Sequence, residues 1–265
     1  MTSKELNRLA KDPRFISGIY NYCDRWCERC PFSNRCLNFA IEQSGELQSK
    51  TANQLENEKF WEHLHGIFQQ TIEMVKENAR EMGVDLDAPD LRAEVLAHER
   101  QVRRREVKNQ ALPKAAMAYM KAADRWMTAA KPAFKAKGIE LETEARLEIG
   151  APETELTAIE DYVEVIRWYQ HFIYIKLCRA ISSQVEEQLE IDPEMRAFPK
   201  DSDGTAKVAL IAIDRSIAAW SGLRQSFAEQ EDAILQLLIQ LGRLRQGTEA
   251  MFPNARKFVR PGFDQ

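Results

Sequence analysis

This chain is short of the material from which β-sheet proteins are built. Of its 265 residues eleven are glycine and ten are proline. Runs of β-branched residues are scarce, which leaves little for strands and the tight turns between them. Long apolar runs are missing too: none reaches the roughly eighteen residues that would span a bilayer. No leader of the charged-then-apolar kind opens the chain. A soluble protein in a reducing, cytoplasmic compartment is expected, with no membrane partner. There is no Gly-rich phosphate loop, no G-x-S-x-G elbow and no H-E-x-x-H helix, so dinucleotide, nucleoside-triphosphate, serine-hydrolase and zincin chemistry have no support. A net charge of −4 is too mild to mark the whole chain as a nucleic-acid binder.

Cysteine is scarce as well, five in all, yet four of the five fall within fourteen positions, CDRWCERCPFSNRC at 23–36. Cys23, Cys27, Cys30 and Cys36 follow C-x3-C-x2-C-x5-C. The first three stand at i, i+4 and i+7, so a helix over 20–30 would place them on one face. Pro31 would turn the chain, and Ser33-Asn34 suits the turn that brings Cys36 back. Three readings compete. Disulfides fit poorly with an odd cysteine count and ample apolar content. A structural zinc takes four thiolates, and C-x2-C is a normal half-site. An iron–sulfur cluster also takes four, often from closely spaced cysteines with a Cys-Pro step. Phe15, Tyr20, Tyr22, Trp26, Phe32 and Phe39 crowd the segment and would shield a cluster from solvent.

The stretch CERCPFSNRC, 27–36, reads C-x2-C-P-x4-C. It resembles the tail of the 4Fe-4S loop of helix-hairpin-helix DNA glycosylases. It is also similar to the C-terminal cysteine cluster of RecB-type nucleases, where an aromatic residue follows the proline as Phe32 does here. The resemblance covers about 14 of 265 residues. It implies that Cys27, Cys30 and Cys36 are cluster ligands, with Cys23 as a fourth whose spacing departs from both families. It implies a 4Fe-4S cluster and neither enzymatic activity, because the glycosylase Gly-rich turn and the strand-borne nuclease carboxylates are missing. C-x3-C-x2-C also resembles the radical-SAM triad, but no βα barrel is expected here.

The rest of the chain reads as helices. Apolar residues recur at helical spacing over 54–82, 112–137, 153–190 and 205–246. These should form the core of an all-α, multi-helix bundle at 51–265, with a small four-cysteine metal-binding lobe at 1–50. Gly45 lies in a polar connector, Pro132 should kink or break its helix, 138–152 should be a loop, Ser221-Gly222 allows a bend and Gly247 can end the last helix. Glu62 and His65 form an E-x-x-H pair, but the helical wheel puts Glu62 about 160° from Leu64 on the apolar arc, a solvated position. Residues 97–137 carry eleven Lys/Arg against three Asp/Glu, and 138–164 carry nine acids against one Arg. Matched neighbouring helices explain that better than nucleic acid, which is possible but not favoured.

The 153–190 helix is apolar around most of its circumference. Glu160, Glu164, Arg167, His171 and Cys178 share about 60° of arc. Either this is a thin solvent-facing seam, or it is a buried lining where Glu164, His171 and perhaps Glu160 or Asp214 of the next helix would bind a metal or move a proton. Three functions are therefore open: an iron–sulfur protein whose cluster has a redox, sensing or structural role; a zinc-stapled interaction protein using the basic 97–137 surface; and a metalloenzyme in the bundle.

Overall fold

In a computed structural model of the protein, the residues described are 8–9, 11–44, 105–189 and 199–264, with isolated positions 65, 68–69, 72–73, 75–77, 79–80 and 83. Every regular element among them is helical. None of the helices is long and apolar enough to cross a membrane. The chain falls into two compact units: Met1–Ala97 together with Arg260–Gln265, and His98–Val259. The expected lobe at 1–50 lies inside the first unit. The C-terminal residues that join it there look, in the sequence, like an unremarkable basic tail. Most of the expected 54–82 helix lies outside the described residues, Glu62 included. His65 is helical and exposed, and its ring nitrogen is 3.4 Å from the Gln69 amide.

In the first unit three short 3-10 turns lead into helix α1, Leu37–Ser44. The second unit holds α2 (Ala111–Ala129), α3 (Lys131–Arg146), α4 (Pro152–Leu189), α5 (Asp201–Ser226), α6 (Glu231–Met251) and a closing 3-10 turn, Ala255–Lys257. Pro113, Pro132 and Pro152 each stand in the first turn of a helix, where a missing N–H breaks no intrahelical bond. Acidic residues open α4, α5 and α6, complementing the positive end of each helix dipole.

Helices α4 and α5 form the main interface, with α2 against α4 and α6, and α6 against α5. Small residues let α5 in close: Ala206, Ala209, Ala212 and Ser216 are fully buried. Between the helices lies an aromatic layer. The indole N–H of Trp220 donates to the hydroxyl of Tyr119 at 3.0 Å, and Trp126 stands edge-on to Trp220 at 4.9 Å. Burial pushes the Tyr119 phenol up to about 12, so it stays a neutral partner at any physiological pH.

Three sequence expectations change. Residues 138–146 are not loop: α3 runs through Gly138 to Arg146, supported by the Arg146–Glu142 pair at 3.0 Å and good helix formers such as Glu140, Leu141 and Ala145. The chain turns at 147–151, where Glu148 and Gly150 take positive φ. The break between the last long helices comes at Phe227 (φ −129°, ψ 63°) rather than at Ser221-Gly222. Gly247 does not end α6, which continues to Met251.

Gly222 is there because α4 comes close. A Cβ added to it would sit 2.3 Å from the ring of Tyr162, whereas one added to Gly242 meets nothing within 4 Å. In urea unfolding followed by circular dichroism, Gly222→Ala should therefore cost about 1–3 kcal/mol. Gly242→Ala should be neutral or gain up to about 1 kcal/mol.

Candidate metal centre

The segment 20–30 is not the helix that the cysteine spacing suggests. It consists of short 3-10 turns, Ile19–Tyr22 and Cys27–Arg29, followed by a third at Ser33–Arg35. The interruption has local causes. Asp24 accepts the N–H of Trp26 at 3.2 Å, which favours a turn over a helix. Arg25 sits at φ 59°, and Pro31 follows the second turn. The result is a repeated device. Each turn ends in a cysteine with extended backbone: Cys23 (φ −104°, ψ 168°), Cys30 (φ −84°, ψ 121°) and Cys36 (φ −106°, ψ 118°). Cys27 opens the second turn, and its carbonyl accepts the Cys30 N–H at 3.2 Å. The third turn is tied back to the first strand of chain, the Ile16 N–H donating to the Arg35 carbonyl at 3.0 Å.

Three of the four thiols thus stand where the chain leaves a 3-10 turn, on no common helix face. All four cysteines line one small cavity, about 20 Å³. Its remaining wall includes Ile19, Trp26, Phe39 and, from the far end of the chain, Phe263. Ile19 and Trp26 are buried, and the Arg29 guanidinium lies 4.1 Å over the Trp26 ring, covering it from outside. None of the cysteines is in a disulfide, and all four are half-buried. Among the described residues no group of three or more His, Cys, Asp or Glu has the arrangement that holds a metal ion.

The thiols feel one another. Cys27 is pushed up to about 11, first by burial and then by the negative charges of Glu42, Cys23, Cys36 and Glu28. Several thiolates in one poorly hydrated space raise each other's cost of ionisation. A bound cation reverses that sign and deprotonates its ligands outright.

The second candidate region looks different. Glu160, Glu164, Arg167 and His171 are all exposed. The stripe is thus the solvent-facing seam and not a buried lining; Ile159, Ile166, Ile173 and Leu177 of α4 are buried, and α4 packs on α2, α3 and α5. Glu160, Glu164 and Arg167 stand on the wall of an open groove between α3 and α4, about 780 Å³, floored by Met127, Phe134, Leu141 and Phe227. Asp214 is brought neither to that stripe nor to Lys207. It accepts from Arg256 at 2.6 Å, with Arg245 at 3.8 Å, and Arg256 also holds Glu249. Lys207 instead donates to the carbonyl of Phe258. The fifth cysteine, Cys178, is half-buried, and burial pushes its thiol up. On the basic 97–137 stretch, Lys114, Lys121 and Arg125 share the exposed face of α2, opposite its buried Ala116, Tyr119 and Ala123.

Sequence reasoning missed Phe263 at the thiol cavity, and Gly262 and Arg260 beside it. A period-based reading does not connect residues more than two hundred positions apart, and the only signal was an aromatic residue in a segment too short to be a helix.

The raised Cys27 thiol has two measurable consequences in metal-free protein. Thiolate is the nucleophile, so iodoacetamide should modify Cys27 at neutral pH about tenfold or more slower than a small free thiol, read by peptide mass spectrometry. Its folded value also lies above the ordinary 9.0. The stability it contributes is therefore complete below about pH 9 and lost as pH climbs through about 11. Comparison of the chain with protein-family models, with curated proteins and with solved structures finds no match.

Proposed function

We propose that Cys23, Cys27, Cys30 and Cys36 ligate a 4Fe-4S cluster, and that the protein is an iron–sulfur protein in which the cluster holds the N-terminal turns together and makes that unit responsive to redox state or iron supply. One observation carries this reading: four thiols from three separate turns line a single, largely apolar cavity. Four cysteines and one carboxylate, Asp24, are among the lining residues, and no imidazole is. All-thiolate sets suit soft metals and clusters. The Cys30-Pro31 step and the similarity of 27–36 to known cluster loops favour iron–sulfur over zinc, as does the aromatic wall that would keep water from the sulfides.

Zinc is the second reading, favoured by the small size of the cavity, about 20 Å³. A zinc site would need its sulfurs about 3.8 Å apart, given 2.3 Å bonds in a tetrahedron. A cube would need them farther apart than that. In both cases the turns adjust as the metal enters, the usual behaviour where binding and folding are coupled. The exposed Glu160, Glu164 and His171 and the arginine-paired Asp214 give no support to a metalloenzyme.

Anaerobic purification with a visible spectrum and iron, zinc and sulfide analysis tests the reading. A brown protein with about four irons and four sulfides per chain is expected, and Cys27→Ala should lose the colour. A colourless protein with one tightly held zinc would move the assignment to the second reading. A chain that holds neither, before or after reconstitution with ferrous iron and sulfide, would overturn both.

A further inference from the structure

We propose that the C-terminal segment 260–264 is the gate of the metal centre: Phe263 closes the thiol cavity, and the metal in turn keeps the segment docked. The inference rests on the reading that the four thiols bind metal and adds which residues control access to it.

The segment is shaped for this. The N–H groups of Phe263 and Asp264 both donate to the Arg260 carbonyl, at 3.2 and 3.3 Å, closing a single turn. Asp264 locks that turn from the outside, accepting the Arg260 backbone N–H at 2.9 Å and its guanidinium at 2.9 Å. Arg260 also lies over the Phe263 ring, 4.8 Å from its centroid. The ring is thereby fixed before it meets anything else. Its edge-to-face partner is Phe32, at 5.2 Å and 84°, the residue directly after Cys30-Pro31. The same ring is part of the cavity wall with all four cysteines.

The approach leaves no room for variation next to it. Gly262 has φ 76°, and a Cβ there would stand 2.9 Å from Ile16 and 3.1 Å from Ile19. Ile19 is itself a wall of the cavity and 2 % exposed. The tail is thus packed against the first 3-10 turn on one side and the Cys30-Pro31-Phe32 step on the other. Those are the places that must shift when metal enters or leaves. A ligand that needs the wall in place and a wall that needs the ligand's loop in place favour each other equally, because coupling between two events is reciprocal.

Two measurements on protein purified with its metal test this. The first is the rate of metal release to a chelator, bathophenanthroline disulfonate for iron or pyridylazoresorcinol for zinc. Phe263→Ala should speed release about tenfold or more, the usual effect of removing a group that shields a metal's ligands. Phe263→Leu should fall between, and Gly262→Ala should act like Phe263→Ala by lifting the turn. The second is carboxypeptidase digestion: residues 260–265 should be trimmed faster from metal-stripped protein than from loaded protein. Unchanged release from both Phe263→Ala and Gly262→Ala, in chains that still carry metal, would overturn the gate and leave the metal centre standing. Equal trimming of loaded and stripped protein would overturn the reciprocal half. A wild-type chain without metal would remove the centre itself, and the gate with it.

Discussion

Four thiols share one small, largely apolar cavity in the first unit, a setting in which burial, and after it nearby negative charge, disfavours a thiolate, as at Cys27. The turns 19–36 bury few side chains: of the residues there, only Ile19 and Trp26 are buried. Their hydrogen bonds are mostly single 3-10 links spanning three residues. Such a segment has little hydrophobic burial of its own to offset the entropy of ordering it. What it does have is four thiols on one cavity, one of them, Cys27, favoured in its protonated form first by burial and then by nearby negative charge. In the proposed reading, a metal that replaces four S–H bonds with four metal–sulfur bonds, releasing four protons, would cross-link these turns.

The second unit depends on ordinary packing. The α4–α5 contact is close because Gly222 leaves room for the Tyr162 ring; some buried polar groups of the unit are paired, while Trp126 Nε1, Gln170 Oε1 and Thr205 Oγ1 have no hydrogen-bond partner. Tyr119 accepts from Trp220, and Gln170 donates to Asp124 at 2.9 Å. The chain after α6 is held by polar side chains, among them Asp214, which the sequence suggested for chemistry. Arg256 bridges Asp214 and Glu249, and Lys207 holds the Phe258 carbonyl. Asp214 is therefore a structural anchor for the last turn before residue 259, where the chain passes from the second unit back to the first.

How much of this could be read from sequence follows from range. The all-α class and the helical character of 112–137, 205–246 and most of 153–190 were legible because periodicity is local, although 112–137 and 205–246 each divide into two helices, at Ala130 and Phe227. A helix over 20–30, which would have placed three of the cysteines on one face, does not form. The i, i+4, i+7 offsets of Cys23, Cys27 and Cys30 are compatible with a helix, but the Asp24 side chain, the left-handed Arg25 and Pro31 all favour turns. The same thiols converge by another route, the repeated exit from a 3-10 turn. The loop assigned to 138–152 gave too much weight to Gly138, which meets nothing within 4 Å and is tolerated inside α3. Whether the Glu160–His171 stripe is buried depended on which helices cover it, and its exposure is a tertiary fact. The role of Phe263 was illegible for the same reason.

X-ray absorption at the metal edge of the purified protein tests the central claim most directly. The expected spectrum is an iron edge with a first shell of sulfur alone and a second shell of iron scatterers. That combination is produced by thiolates and bridging sulfides around a multi-iron centre, and four irons per chain make it a 4Fe-4S cluster. A first shell containing nitrogen or oxygen, or a zinc edge with no second metal shell, would contradict the assignment of the four cysteines to a 4Fe-4S cluster.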